Sequence, residues 1–158
     1  MNKVPSSSFK HPIHFLAIGL GSGAAPKAPG TFGTVMAVLL YWPLSQLPLF
    51  SYCAVVLVAA IVGVYICGKT SKDWQVHDHG GIVWDEFVGY WITMIAIPVT
   101  WYWALLGFVL FRIFDIWKPW PISWLDKKVH GGLGIMIDDV VAGVFAWAIL
   151  FGVVHFVG

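Results

Sequence analysis

Charged residues are scarce in this sequence, and their scarcity defines the class of protein. Only 11% of the 158 residues are charged, whereas 59% are apolar and ten are tryptophan. A soluble domain is typically about 45–50% apolar and about 25% charged. With a mean hydropathy of +0.80, the composition predicts an all-α polytopic membrane helix bundle, a single integral-membrane domain over residues 1–158.

Basic runs and cysteines are also few. The net charge is +1, and no basic-aromatic patch provides a footprint for nucleic acid, so we expect no nucleic-acid partner. The two cysteines, Cys53 and Cys67, are expected on one helix about 21 Å apart, which is too far for a disulfide. We interpret both as small buried apolar side chains.

Signatures of several enzyme classes are missing. A cysteine phosphatase needs the spacing C-x5-R, but the position that follows Cys67 at this spacing is Asp73. Neither the D-x-D-x-[TV] motif of aspartyl-phosphate enzymes nor the D-x-x-D-G-x-x-A-R signature of CDP-alcohol phosphotransferases occurs. Zinc is disfavoured because there is no H-E-x-x-H and no thiolate near the acids.

Long apolar runs predict about five transmembrane helices. They cover residues 35–50, 51–68, 82–99, 101–117 and 135–157. Residues 1–12 form a polar, cytoplasmic-looking tail. Residues 13–25 are too few to span a bilayer, so we expect a short re-entrant or interfacial segment there; a signal-peptide core is the alternative interpretation.

The basic residues cluster in three places that five spans would bring to one face. These are the N-terminal region, the connection at residues 69–81, and the stretch from Arg112 to Lys128. The positive-inside rule makes this face cytoplasmic, with the N-terminus inside and the C-terminus outside.

Acidic residues follow the same geometry, because they stand where predicted spans begin or end at that face. The charged residues expected at this depth are Asp85, Glu86, Arg112, Asp115, Lys118, Asp138 and Asp139. A carboxylate beside hydrocarbon is costly unless a cation, a metal or water compensates it. Convergence of three helix ends favours a functional site over isolated surface charges, although structural pairing with Arg112 and Lys118 would explain one pair of acids.

The chemistry of this group points to Mg²⁺ and phosphate. Carboxylates are the ligands Mg²⁺ prefers, commonly together with phosphate oxygens. The Gly- and Pro-rich stretch 21–34 predicts a non-helical loop that can hold a phosphate through backbone N–H groups, hydroxyls and Lys27; a flexible connector is the alternative. His77 and His79 flank the same face and could bind phosphate or transfer a proton.

Four sequence blocks carry a family resemblance. GLGSGAAPKAPGTFGT, VHDHGGIVWDEFVGYWIT, FRIFDIWKPWPISWLDKKVHGG and GIMIDDVVAG resemble the phosphatidylglycerophosphatase A family. The resemblance implies a Mg²⁺-dependent lipid phosphatase of the bacterial inner membrane that converts phosphatidylglycerophosphate to phosphatidylglycerol. It further implies that the WDE and IDD motifs supply metal and catalytic carboxylates, and that the R-x-x-D-x-x-K-P motif holds phosphate and orders the metal shell.

The sequence thus predicts a lipid phosphomonoesterase at the cytoplasmic interface. The candidate catalytic residues are Asp85, Glu86, Asp115, Asp138 and Asp139; the candidate metal ligands are Asp85, Glu86, Asp138 and Asp139; and the candidate phosphate-binding residues are Lys27, Thr31, Thr34, His79, Arg112 and Lys118. The alternatives are a phosphatase of broader specificity that includes phosphatidate and lysophosphatidate, a cation- or proton-coupled transporter, and a noncatalytic lipid-binding subunit. The sequence assigns no general base, leaves a covalent aspartyl-phosphate route open, and gives no oligomeric state.

Overall fold

The computed structural model describes residues 3–157, so the first two residues of the predicted polar tail and the terminal Gly158 lie outside the described residues. Within that range the chain forms seven α-helices and no strand, which confirms the all-helical prediction. The helices are α1 (Pro12–Ala17), α2 (Pro29–Leu44), α3 (Leu49–Trp74), α4 (Trp84–Thr93), α5 (Trp101–Trp117), α6 (Ile122–Lys128) and α7 (Gly131–Val157).

Helices α3 and α7 are long and apolar enough to cross a membrane. They have 26 and 27 residues, or about 40 Å each at 1.5 Å per residue. Only 28% and 22% of their most apolar windows is buried inside the protein, so most of this apolar surface faces outward, unlike that of a core helix in a soluble protein. This pattern indicates a membrane protein. Helix α7 is central, because it contacts α3, α4, α5 and α6.

The helix boundaries differ from the predicted spans in several places. Helix α2 ends at Leu44 and α3 begins at Leu49, so the first predicted span is not one helix to residue 50. Helix α5 has the predicted limits, but α3 continues to Trp74 into what we predicted as a polar connection. There Thr70 and Ser71 are buried, while Lys69 and Asp73 pair at 2.9 Å one turn apart on the outside. A helix with one buried and one charged side is stable without being uniformly apolar.

Helix α4 is shorter than predicted. It has ten residues, about 15 Å, so the apolar stretch 82–99 is not one continuous spanning helix. The chain turns after Met94, with Ala96 at a φ of +58°, and Pro98 further disfavours helix for the residue before it. The count of five spans stays a prediction.

The predicted loop at residues 21–34 is wrong in its second half. Helix α2 begins at Pro29 and includes Gly30 to Thr34. Proline suits the first helical position, because its missing N–H would have no intrahelical partner there. Ala28, at a φ of +47°, turns the chain into the helix. Thr34 therefore stands on a helical face, where it is fully buried.

The N-terminal segment is tied to the bundle at two points. Helix α1 is too short to span a bilayer, as we predicted. Its His14 Nε2 lies 2.9 Å from Asp73 Oδ2 at the end of α3. The carbonyl of Ala17 accepts a 2.8 Å hydrogen bond from the N–H of Val83, the residue before α4. The interfacial or re-entrant position of this segment in the membrane stays a prediction.

Helices α4 and α7 approach closely through two glycines. A Cβ on Gly143 would collide with the carbonyl oxygen of Gly89, and a Cβ on Gly89 would stand 2.8 Å from the carbonyl oxygen of Asp139. Backbone contact of this kind requires residues without side chains. It brings the first turn of α4 beside the third turn of α7, where the acids lie.

We expect Gly143→Ala to destabilise the protein, although alanine has the higher helix propensity. The added methyl group must push α4 and α7 apart, and overpacking of this kind costs about 1–3 kcal/mol. Thermal unfolding in detergent measures the effect. Gly152→Ala, in the same helix with nothing within 4 Å of the new Cβ, is the matched control and should leave Tm equal or higher. A Gly143→Ala variant as stable as the control would contradict the close approach.

Candidate active site

Three carboxylates from three helices converge. Glu86 of α4, Asp115 of α5 and Asp139 of α7 each place one oxygen within 4.8 Å of the others. Glu86 and Asp139 are buried, and the Asp115 side chain is only 11% exposed. Three negative groups this close in a largely dry site repel one another strongly, so compensation is required. We call these three residues the acid trio.

Arg112 provides part of that compensation. Its Nη1 donates to Glu86 Oε2 at 3.0 Å and also to Asp115 Oδ2. Arg112 and Asp115 stand three residues apart on α5, so they share one helical face. Arg112 Nε has no hydrogen-bond partner among residues 3–157. One guanidinium paired with two of the three carboxylates leaves the trio, when ionised, with an excess of negative charge.

The first turns of α2 cover the Glu86–Arg112 pair. The Thr34 hydroxyl lies 3.0 Å from Glu86 Oε2 and 2.9 Å from the carbonyl oxygen of Gly30, and its single proton can be donated to one of them at a time. A Cβ on Gly30 would stand 2.8 Å from Glu86 Oε1 and 3.3 Å from both terminal nitrogens of Arg112. Glycine is needed at this position because the helix backbone lies directly against the ion pair.

Asp138 lies outside the trio, in a second charged group. Its Oδ2 is 3.5 Å from Lys118 Nζ, and the same ammonium is 3.4 Å from Asp126 Oδ1. Asp126 belongs to α6. The sequence analysis missed it, because it lies in a predicted connection between spans and no motif assigned it a role. Only the fold of residues 118–128 brings it back to Lys118.

Several acid oxygens have no partner. Asp85 Oδ1, Asp138 Oδ1 and Asp139 Oδ2 are buried and make no hydrogen bond within the described part of the chain. A buried carboxylate oxygen without a partner is costly. Together with the spacing of the acid trio, these oxygens fit a hard divalent cation, since an all-oxygen donor set is typical of Mg²⁺, Ca²⁺ or Mn²⁺ sites.

The acid trio overlaps only in part with the predicted metal ligands, which stay a prediction. Glu86 and Asp139 were predicted, and the structure brings them together with Asp115, which we had expected to be catalytic but not a ligand. Asp85 and Asp138 are adjacent in sequence to two of the trio but are not part of it. The R-x-x-D spacing was the signal that places Asp115 beside Arg112.

The remaining predicted phosphate-binding residues lie around α2 and the loop before α4. Lys27 is exposed in the turn ahead of α2, and Thr31 is half-buried in its first turn; neither is in an ion pair or side-chain hydrogen bond to the rest of residues 3–157. His79 is buried, its Nδ1 accepts from the Gly81 N–H at 2.9 Å, and its ring meets Trp74 edge-on at 4.9 Å.

Fold and site together define an all-helical protein with helices able to cross a membrane and a buried acidic cluster suited to a cation. The family model of phosphatidylglycerophosphatase A matches residues 15–154. The chain belongs to this family, which confirms the resemblance carried by the sequence blocks.

Curated relatives agree with this assignment. A phosphatidylglycerophosphatase A of Escherichia coli is 53% identical over 146 residues, 92% of this chain and 85% of the relative. One from Haemophilus influenzae is 46% identical over 157 residues, 96% and 94% of the two chains. A relative from Bacteroides thetaiotaomicron, provisionally named a phosphatidylinositol-3-phosphatase, is 38% identical over 144 residues, 85% and 89% of the two chains. No solved structure matches the chain significantly.

Divalent-cation binding should depend on Asp115 and not on Asp126. We expect Mg²⁺ to raise Tm of the wild type, by an amount that corresponds to about 2.7 kcal/mol at 100 times Kd. Asp115→Asn should lose most of this increase, because one ligand of the trio becomes neutral. Asp126→Asn, which removes an acid that contacts Lys118 instead, is the control and should keep it. Equal shifts in the two variants would refute the trio as the cation site.

Proposed function

We propose that this protein is a Mg²⁺-dependent phosphatidylglycerophosphatase, which hydrolyses the terminal phosphomonoester of phosphatidylglycerophosphate to phosphatidylglycerol and inorganic phosphate. The observation that carries the proposal is the acid trio with Arg112, found in a chain whose family match covers residues 15–154. Family membership supports the lipid substrate, while the geometry supports the cation and the phosphate.

In this proposal Glu86, Asp115 and Asp139 hold the magnesium ion. When bound, Mg²⁺ would supply positive charge to the phosphate oxygens and stabilise the charge that develops during phosphoryl transfer. The unpartnered oxygens of Asp85 and Asp138 are available as additional ligands or as acceptors of the proton that the attacking water releases. That water forms the new bond to phosphorus as the bond to the glycerol oxygen breaks.

Arg112 and Lys118 are the proposed phosphate ligands. Nη1 of Arg112 is occupied by two carboxylates, while Nε has no partner, so the other edge of the guanidinium remains for a phosphate. Lys118 Nζ lies 3.5 Å from Asp138 Oδ2. Asp138 is the residue before Asp139, a member of the acid trio. Lys27, Thr31, Thr34 and His79 complete the proposed binding residues around the start of α2.

The proposed location is the bacterial inner membrane, with the site facing the cytoplasm and the whole chain forming one integral-membrane domain. The acid trio joins the start of α4, the end of α5 and the third turn of α7, so the start of α4 and the end of α5 lie at the same level, about 12 Å along α7 from its first residue. The opposite turns, residues 45–48 and 94–100, contain no charged residue. Under the positive-inside rule this asymmetry supports a multi-pass protein with α2, α3, α5, α7 and the α4 region crossing.

A phosphatase of broader lipid specificity is the second candidate, and the relative provisionally named a phosphatidylinositol-3-phosphatase favours it. The transporter alternative has less support. A transport pathway places its acids near the middle of the bilayer, whereas two of the three trio acids stand at helix ends, Glu86 in the first turn of α4 and Asp115 in the last turn of α5.

Phosphate release from phosphatidylglycerophosphate in mixed micelles tests the proposal. We expect release by the wild type to need Mg²⁺ and to stop in excess EDTA. Asp139→Asn should lower kcat/KM by at least about 100-fold, since loss of a metal ligand should cost no less than loss of an outer-shell partner.

The control is Asp73→Asn, which removes an acid whose partners are Lys69 and His14; it should retain activity. Full activity in EDTA would exclude the metal mechanism. Faster turnover of phosphatidate or phosphatidylinositol-3-phosphate would favour the broader phosphatase. A folded wild type with no turnover of any of these lipids would overturn the proposed activity.

A further inference from the structure

A surface of exposed aromatic and basic side chains lies next to the candidate active site. Its members, which we call the α6 surface, are Trp117, Trp120, Trp124, Lys127 and Lys128. The tryptophans are 70%, 77% and 51% exposed. None of the five side chains forms a hydrogen bond, ring contact or ion pair with another residue among 3–157. The three indoles fall within eight positions of the chain, and exposed apolar side chains that stand together mark a protein or membrane interaction surface.

Contacts on the inner side of α6 fix the helix and leave the α6 surface exposed. Ile122 is fully buried and anchors the side of α6 that packs on α7. Asp126 is fixed by the ammonium of Lys118 at 3.4 Å. Trp124, Lys127 and Lys128 are spaced three and four residues apart, so they share the opposite face.

The residues next to the α6 surface indicate which kind of partner can bind it. On the side of α5 it continues into exposed apolar residues, with Ile113 and Ile116 leading to Trp117. A partner must therefore be apolar beside α5, tolerate indole N–H groups at its boundary, and carry negative charge opposite Lys127 and Lys128. A bilayer with anionic headgroups meets all three requirements, since tryptophan concentrates at the membrane–water boundary and lysine is attracted to anionic lipid.

We propose that the α6 surface docks into the anionic headgroup layer of the membrane that contains the protein. The inference rests on the proposed membrane location and adds a lipid contact to it. Its consequence for the site is direct, because Asp126 on the same short helix contacts Lys118, which contacts Asp138. Docking of α6 would keep that part of the site at the depth of lipid phosphates and raise the local concentration of anionic lipid beside it.

A nitroxide at position 124 tests the docking. The label is attached to Trp124→Cys in a Cys53→Ala, Cys67→Ala background and compared with the same label at Lys10→Cys, an exposed position before α1. The protein is reconstituted in vesicles of phosphatidylcholine alone or mixed with phosphatidylglycerol. Collision with oxygen, relative to a water-soluble nickel complex, reports the depth of the label.

We expect the oxygen-to-nickel ratio at position 124 to exceed that at position 10 several-fold in the mixed vesicles. Adding Lys127→Gln and Lys128→Gln should shift position 124 toward water, with a change in partition of about fivefold per lysine. Equal ratios at the two positions would overturn the docking. A deep label that responds neither to phosphatidylglycerol nor to the lysine variants would overturn the anionic contact.

This experiment requires no turnover, so it is separable from the proposed activity. A docked label in a protein that hydrolyses no lipid phosphate leaves the α6 contact standing and the proposed function overturned. A water-exposed label in an active enzyme gives the reverse result. The lysine variants contact no residue of the acid trio, so a fall in kcat at saturating substrate would contradict a role limited to lipid contact.

Discussion

The buried guanidinium of Arg112, shared by Glu86 and Asp115, is the interaction on which the site depends. Removing a charge from water costs several kcal/mol, and only a partner with good geometry offsets that cost. Here the partners come from two different helices, so the start of α4 must lie at the level of the end of α5. Gly30 lets the backbone of α2 cover the pair, and the Gly89–Gly143 contact brings α7 close enough to add Asp139.

Hydropathy predicted the helices where a run of apolar residues and a helix coincide, as in α5. It failed at the end of α3, where the Lys69–Asp73 pair and buried Thr70 continue the helix through a polar sequence. It failed in α4 for the opposite reason. The segment 82–99 is apolar because most of it is buried in the bundle, not because it is one helix, and the turn at Ala96 left no sign in its hydropathy.

The acids were identifiable from sequence, but their grouping was not. Neighbouring residues in an α-helix point about 100° apart, so the two members of an adjacent pair face different directions. Each pair is therefore divided: Glu86 and Asp139 face Asp115, while Asp138 turns to Lys118. Sequence shows which residues are adjacent on the chain, whereas the choice between the members of each pair depends on how α4 and α7 are rotated in the bundle.

The charge balance of the site also indicates the order in which the cation and the phosphate would bind. Arg112 pairs with Glu86 and Asp115, and Lys118 lies near Asp138. When all five candidate catalytic carboxylates are ionised, they exceed these two cations by three negative charges before Asp126 is counted. A phosphomonoester brings up to two more, and like charges in a poorly hydrated site repel strongly. The cation must therefore bind before or together with the phosphate. The bound metal would then compensate the unpartnered acid oxygens, and its positive charge would offset the negative charge of the substrate.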